Sequence, residues 1–319
     1  MVNVSAEFRE RMSNPSAYPQ RIAFQFNNGT IISNEDIDVQ GGVDFHEVFC
    51  SETDYTIGLT PSSEISFGLF NEDGHYNNFS FGEFRAYIGV MMSEETNSST
   101  PVKRPAISIS GNTMTVSGNG KLQTFELCPM GVFIAPRPAV VQKTLIDIRA
   151  NDRMTLFDKN LPSFESMGYV DHVQARTLFQ KICQLAGVTP IGDYFLNSDL
   201  MFDMEHAPED GAHTLRDALG WIAQISGANA RMNREGQLVL KYAFTSTDKT
   251  YDESTYTSFE PYWYTTPTVT GLHVRNGNST AETVYGTSGE NNFLIQDNPF
   301  LRIDDPDEDE IPEEEVSGG

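Results

Sequence analysis

Apolar and polar residues alternate through much of the first 150 residues. Ile22, Phe24 and Phe26 are spaced by Ala23 and Gln25, and Asn27-Asn28-Gly29 then turns the chain. A period of two marks a strand with one buried face. Ile65, Phe67 and Leu69 repeat it before the turn-like Asn71-Glu72-Asp73-Gly74. Ile107 and Ile109, then Met114 and Val116, flank Gly111-Asn112 and predict a hairpin. Ile146 and Ile148 alternate with Asp147 and Arg149. Many short strands broken by Gly and Asn predict a barrel or sandwich. Between them, Ser93 to Pro105 is polar and without period, which predicts a long exposed loop.

The period changes in the middle of the chain. Leu178, Phe179, Ile182, Leu185 and Ala186 recur at helical spacing, with Gly187 as a stop. A second helix opens at Thr214, where Asp217 stands in for the Glu of a capping box. Leu215, Ala218, Leu219, Ile222 and Ile225 form its apolar stripe, and Gly227 ends it. Ala228 to Met232 and Gln237 to Tyr242 then read as strands joined by Asn233-Arg234-Glu235-Gly236. Strand-like patterns return at Thr268 to Val274, Glu282 to Gly286 and Phe293 to Ile295. The fold class is therefore mainly β with an α+β insert. Its divisions fall at 1–150 (β-barrel or sandwich), 151–243 (α+β), 244–303 (a second β region) and 304–319 (an acidic tail).

Composition narrows the functional classes. The 319 residues suggest about two domains. With 39% hydrophobic residues the chain can build real cores. The net charge is −24, so nucleic acid and anionic membranes are expected to repel it. The stretch from Asp304 to Glu315 holds nine acids and no base, and is expected to be mobile because like charges repel. Without those nine the remainder still carries −15. No apolar run is long enough to span a membrane. The N-terminus lacks the charged and apolar regions of a secretory signal, so synthesis in the cytosol is expected. Cys50, Cys128 and Cys183 are far apart and odd in number, which favours buried, reduced thiols over a disulfide framework or a metal pattern.

The search for chemistry assigns no catalytic, cofactor-binding or metal-ligating residue. There is no Gly-x-Ser-x-Gly elbow, Walker loop or complete Gly-x-Gly-x-x-Gly. His46-Glu47 opens like a zinc helix, but Cys50 stands where the second His belongs. Asp203, Glu205, His206, Glu209, Asp210 and His213 have the residue types of a divalent-ion site. They also suit a solvated loop whose acids precede the positive end of a helix, which is the favoured reading. Lys103-Arg104 is the only basic doublet, too little for a nucleic-acid surface. Tyr251, Tyr256, Phe259, Tyr262, Trp263 and Tyr264 could stack on sugar rings or simply pack on the β region.

Four stretches carry a resemblance. Gly131-Val132-Phe133-Ile134 is followed by Leu145-Ile146-Asp147-Ile148-Arg149-Ala150-Asn151-Asp152-Arg153-Met154. Leu178-Phe179-Gln180-Lys181-Ile182-Cys183 ends in Ala186-Gly187-Val188. Leu215 to Ala223 leads into Gly227 to Leu238, and Asn292-Phe293-Leu294-Ile295 precedes Asn298-Pro299-Phe300. In this order they resemble the tail hub (baseplate or tail-tip) structural proteins of phages and prophages of Gram-positive bacteria. The resemblance implies hub-type β-barrel domains forming part of a ring, a homotrimer that continues the tail tube, and no enzymatic activity. It also implies a place in the virion tail after assembly in the host cytoplasm, with distal tail or tube, tape-measure and fibre or receptor-binding proteins as partners. DNA would pass through the lumen without specific binding. Family members run on past the Asn-Pro-Phe stretch to finish a second barrel, whereas this sequence turns acidic at Asp304, so the resemblance implies either a shortened chain with an incomplete second barrel over 244–303 or a second barrel that closes differently. Two rival readings are a carbohydrate- or receptor-binding tail module, tested on a glycan array with Trp263→Ala, and a cell-wall hydrolase, tested by zymography.

The charge pattern yields one expectation about folding. Between Asp304 and Gly319 the only sizeable apolar residues are Ile311 and Val316. Deleting this stretch leaves the melting temperature unchanged or slightly raised, because self-repulsion falls. A calorimetric scan showing a drop of several degrees would mean that the segment docks.

Overall fold

The protein is described by a computed structural model that covers residues 4–38, 41–48, 57–98, 102, 104–136, 144–204, 212–242, 271–275, 282–286, 292–296 and 298–300. A short helix, α1 (Ala6–Met12), leads into β1 (Gln20–Phe26), β2 (Ile31–Ser33), β3 (Val43–His46), β4 (Glu64–Phe70) and β5 (Glu83–Thr96). After these come β6 (Ala106–Ser110), β7 (Thr113–Gly118), β8 (Lys121–Ile134) and β9 (Leu145–Asp152). These nine strands form one antiparallel sheet in the order β2-β1-β5-β8-β9-β4-β3, with the β6–β7 hairpin added along β8.

The alternation of β4 is clean: Ile65, Phe67 and Leu69 are buried, and their neighbours are not. Phe24, Phe26, Phe84, Phe133, Ile146 and Ile148 face the same interior. The sheet curls strongly around them. Phe24 of β1 stacks on Phe67 of β4 with ring centroids 4.0 Å apart, although three strands lie between them in the sheet. The two ends of the sheet, β2 and β3, do not pair, so it is not closed into a barrel. The gap is spanned by the chain between them, where Ile37 bridges Leu69 and Asp38 N–H donates to the Gly68 carbonyl (2.9 Å). β2 holds only three residues before the chain turns away, too short for a closing ladder.

The expected loop at Ser93 to Pro105 is corrected in part. β5 continues through Thr96, paired with Lys121–Thr124 of β8. Both faces are wet there, so the residues are polar and show no alternation of burial. The hairpin expected around Gly111-Asn112 is present as β6–β7. Its next turn, Asn119-Gly120, has φ of 54° and 77°. Both values are positive, as a two-residue hairpin turn of this hand requires.

β9 runs into a 3-10 turn, Arg153–Phe157, and then β10 (His172–Gln174), α2 (Ala175–Ala186), β11 (Met201–Asp203), α3 (Leu215–Ile225), β12 (Ala228–Met232) and β13 (Leu238–Tyr242). α2 ends at Gly187, whose φ of 77° lets its N–H and that of Val188 reach the Cys183 carbonyl. α3 opens with the expected capping box: Thr214 Oγ1 accepts from Asp217 N–H, and Asp217 accepts from Thr214 N–H. The stripes of both helices meet in one core with Phe157, Phe164, Phe202 and Leu238. Farther on, β14 (Gly271–Arg275), β15 (Glu282–Gly286) and β16 (Asn292–Gln296) form a separate sheet in the order β15-β14-β16. Its β14–β16 pair is parallel. The acidic tail and the aromatic stretch Tyr251–Tyr264 lie outside the described residues.

Leu219 sits fully buried at the centre of the α3 stripe. Leu219→Ala is expected to cost about 2–5 kcal/mol through lost burial and a residual cavity. Urea unfolding reads it directly, and a loss under about 0.5 kcal/mol would place the residue at a surface.

Candidate functional site

The polar residues that the fold concentrates lie where the curled sheet meets the helices. The end of β9 and the start of the 3-10 turn deliver two of them in succession. Asp152 caps the 3-10 turn: its carboxylate accepts from Met154 N–H (3.0 Å), Ser63 N–H (2.9 Å) and the Ser62 hydroxyl (2.9 Å). Burial raises its pKa above the ordinary aspartate value, and these bonds act in the opposite direction. Arg153 turns the other way and forks onto Glu83 of β5, at 2.7 and 2.6 Å. Asn27 donates to the same carboxylate (3.0 Å).

Arg153 also approaches the carbonyl of Gly236 (3.4 Å), in the turn between β12 and β13. That turn is clamped on the sheet by a second pair, Arg85 with Glu235 (2.9 Å). Gly236 must be glycine on two counts: its φ is +73°, and a Cβ there would lie 2.8 Å from Val132 Cβ of β8. On the other side of β12 a strap from the sheet adds itself as a partner. Gly58 N–H donates to the Ala228 carbonyl, Ala230 N–H to the Leu59 carbonyl, and Leu59 N–H to Asn229 Oδ1, each at 2.9 Å. A Cβ on Gly58 would fall 2.1 Å from Gln224 Cγ of α3. The strap therefore lies directly on the helix.

The final contact comes from far along the chain. Asn298 Nδ2 donates to the Trp221 carbonyl (3.0 Å) and to Gln224 Oε1 (2.9 Å). Phe300 stacks on Phe202 with centroids 4.3 Å apart and meets the edges of Trp221 and Phe164. Residues more than fifty positions beyond the end of β13 are thereby tied into the helical core.

Among the described residues, no three His, Cys, Asp or Glu side chains gather as a metal site would require. Of the acidic cluster singled out in the sequence, Glu205, His206, Glu209 and Asp210 lie outside the described residues. Asp203 is exposed on β11. His213 faces Asp217 (3.9 Å) and the edge of Trp221. His46 ends β3, and Glu47 lies 3.7 Å from Arg231 and 3.8 Å from Arg234. Cys128 and Cys183 are buried free thiols, and burial pushes Cys183 up to about 12. Cys50 lies outside the described residues.

Two features went unread in the sequence. Arg104, half of the lone basic doublet, binds Asp36 (2.7 Å) and Asp73 (3.0 Å). It thereby fills one side of an open hollow of about 210 Å³ lined also by Glu35, Glu72 and Phe70. Tyr76 beside it is held protonated far above its ordinary range, first by burial and then by the Asp36 carboxylate. The second is the exposed apolar group Tyr194, Leu196, Leu200 and Met201 near the start of α2. Arg176 lies over the Tyr194 ring at 4.6 Å. Both features depend on contacts between distant segments; the only local sign of the second was a run of apolar residues without period.

No family model and no curated protein matches the sequence. Among solved structures, the chain is similar to the 43 kDa tail protein of prophage MuSo2 from Shewanella oneidensis, at 10% identity and a TM-score of 0.45. That match covers 88% of this chain and 72% of the other. It is also similar to the prophage tail protein gp18 from Listeria monocytogenes, at 11% identity and a TM-score of 0.38, over 87% of this chain and 71% of the other.

The junction has a calculable response to pH. Glu83 is held below the ordinary glutamate range, chiefly by its hydrogen bonds from Arg153, with burial opposing. A lowered folded pKa gives stability that is complete above the unfolded value, about 4.3, and lost as pH falls through the folded one. Glu83→Gln is expected to cost about 1–2 kcal/mol near neutral pH, discounted for the partial exposure of the pair. The gap between wild type and variant closes in denaturation curves taken from pH 6 down to the acid limit of folding. A gap that stays constant over that range would assign the loss to packing.

Proposed function

We propose that this chain is a structural subunit of a phage tail tip. In this reading three copies form a hub that continues the tail tube and anchors fibre or lysin components, and the neighbours are distal tail or tube and tape-measure proteins. The observation that carries the reading is where the family-like stretches lie. Three of the four meet around the helix-and-hairpin stretch, where the sheet joins the helices. Arg153, from the stretch ending Asp152-Arg153-Met154, approaches Gly236 of the helix-and-hairpin stretch. Val132, from Gly131-Val132-Phe133, packs against the same glycine. Asn298 and Phe300, from Asn-Pro-Phe, bind Trp221 of the helix-and-hairpin stretch.

Each residue type also has a physical reason to be there. Gly131 leaves room for the Phe133 ring, which would otherwise lie 2.7 Å from a Cβ. Arg suits a planar fork on a carboxylate better than Lys. The charge fits as well: a tube that passes DNA must not hold it, and a lumen lined by acids repels phosphate. In the hub the nine-stranded sheet would supply the ring, and its open ends would meet neighbouring copies, which would close what one chain leaves open.

Reconstruction of the intact particle that carries the chain tests this. Three copies, or a multiple of three, around the tube axis with an acidic lumen are expected. A location off the axis, or another copy number, overturns the hub. A lumen lined by Lys and Arg overturns the electrostatic part alone.

A further inference from the structure

Sheet edges invite pairing with other chains, and folded proteins guard them with charge, proline, bulges or brevity. Three edges here are guarded in these ways. β2 holds three residues and is flanked by the Arg21–Glu35 ion pair. β3 carries exposed Asp44 and His46. β13 carries exposed Lys241. β6 has none of these devices. Its sequence is Ala106-Ile107-Ser108-Ile109-Ser110, and among the described residues its only strand partner is β7.

The absence of charge extends beyond the strand. From Pro105 to Gly120 there is no Asp, Glu, Lys or Arg, in a chain whose residues are 21% charged. At that frequency about three would be expected over such a length. The exposed side chains of β6 are also small. Ala106, Ser108 and Ser110 are exposed, and Ser108 bonds Thr115 of β7 through their hydroxyls (2.6 Å). On the other face Ile107 and Ile109 pack against a core of Met114, Val116, Phe125 and Leu127 but remain half-buried. The apolar layer thus ends unfinished at this edge, and one more strand with apolar residues at alternate positions would complete it.

The occupant follows from charge and periodicity. Two copies each carrying −24 repel wherever their acids meet. A neutral hairpin is where they approach at least cost. The strand is also self-complementary: antiparallel pairing about a twofold axis at Ser108 sets Ile107 of each copy opposite Ile109 of the other. We propose that β6 is a self-association edge, through which two copies of this chain join their sheets. This goes beyond the hub reading and does not require it, since a twofold contact links two chains whether or not each belongs to a ring.

The test uses the full chain in isolation. Sedimentation at physiological ionic strength is expected to show a concentration-dependent dimer. Ser108→Cys is expected to cross-link under mild oxidation above the wild-type background, because the two residues meet at the axis about 5 Å apart. Thr115→Cys, one strand inward, would sit about 14 Å from its counterpart and is not expected to cross-link. Ser108→Glu sets like charges against each other at an exposed position, and is expected to weaken association roughly tenfold or more, with a melting temperature close to wild type at dilutions where both are monomeric. A chain that stays monomeric at every concentration overturns the inference, as does association indifferent to Ser108→Glu or Thr115→Cys cross-linking as well as Ser108→Cys. A trimer that ignores Ser108→Glu overturns the edge and leaves the hub standing. An off-axis position in the particle overturns the hub and leaves the edge standing.

Discussion

The architecture depends on one ladder, β5 against β8, being long and twice interrupted. A regular antiparallel pair offers one buried face and one wet face along its whole length. This pair serves three apolar clusters. At one end Phe84, Ala86 and Phe133 face the phenylalanine-rich interior. Farther along, Val90 and Cys128 lie under α1, while Tyr87, Phe125 and Leu127 turn to the β6–β7 hairpin on the opposite face. The change of allegiance needs an extra residue on each strand. Met130 has no partner between Pro129 and Gly131, and Met92 none between Met91 and Ser93. Each bulge bends the ladder and shifts which side chains point inward. The carbonyls of Met91 and Met92 are met by the Arg11 guanidinium of α1, at 2.6 and 2.9 Å, so the short helix satisfies the irregularity that it covers.

That ladder also explains how the helices attach. Glu83 and Arg85 open β5, and Val132 lies opposite Arg85 on β8. Together they form the bed on which the β12–β13 turn rests. The contact is mostly polar, so it specifies orientation more than it adds stability: a bidentate ion pair tolerates little rotation, whereas apolar surfaces can slide. Gly58 and Gly236 set the spacing on the two sides of β12, since any side chain there would push strap or turn away. Strap, turn and the Asn298–Phe300 contact hold the helical core from three directions.

What was legible in the sequence was local. β4 and α3 declared themselves because each has one buried face, and a single face leaves a single period. The α3 cap was legible because both of its partners lie within three residues. β1 was legible only in part: Phe24 and Phe26 alternate as expected, but Ala23 is buried on the other face beneath the hairpin, a burial that no alternation of large residues reports. α1 was missed because only Phe8 of its seven residues is buried. The extension of β5 through Thr96 was missed because a strand wet on both faces has no apolar pattern. The Arg153–Glu83 pair spans seventy residues and the Asn298–Trp221 bond seventy-seven, and periodicity carries no information over such distances. At the site, most of the acidic cluster lies outside the described residues, and the ion pair between Arg104 and Asp36 joins positions sixty-eight residues apart, beyond the reach of any local pattern.

Charge is the remaining constraint, and it acts in two directions. Arg21, Arg85, Arg104, Arg153 and Arg216 each hold a carboxylate, so part of the scarce positive charge is committed to ion pairs within the chain. Each pair cancels one charge of either sign, so the rest of the chain still carries the full excess of 24 negative charges. A chain of this kind gains solubility and repels polyanions, but every assembly contact must then be made between like-charged bodies. Two solutions are available: contacts of low charge density, or an ionic strength that shortens the reach of the repulsion to about 8 Å. The uncharged run from Pro105 to Gly120 fits the first, and it forms the β6–β7 hairpin at the margin of the sheet. The distribution of charge along this sheet therefore reflects where contact is permitted as well as what keeps the chain soluble.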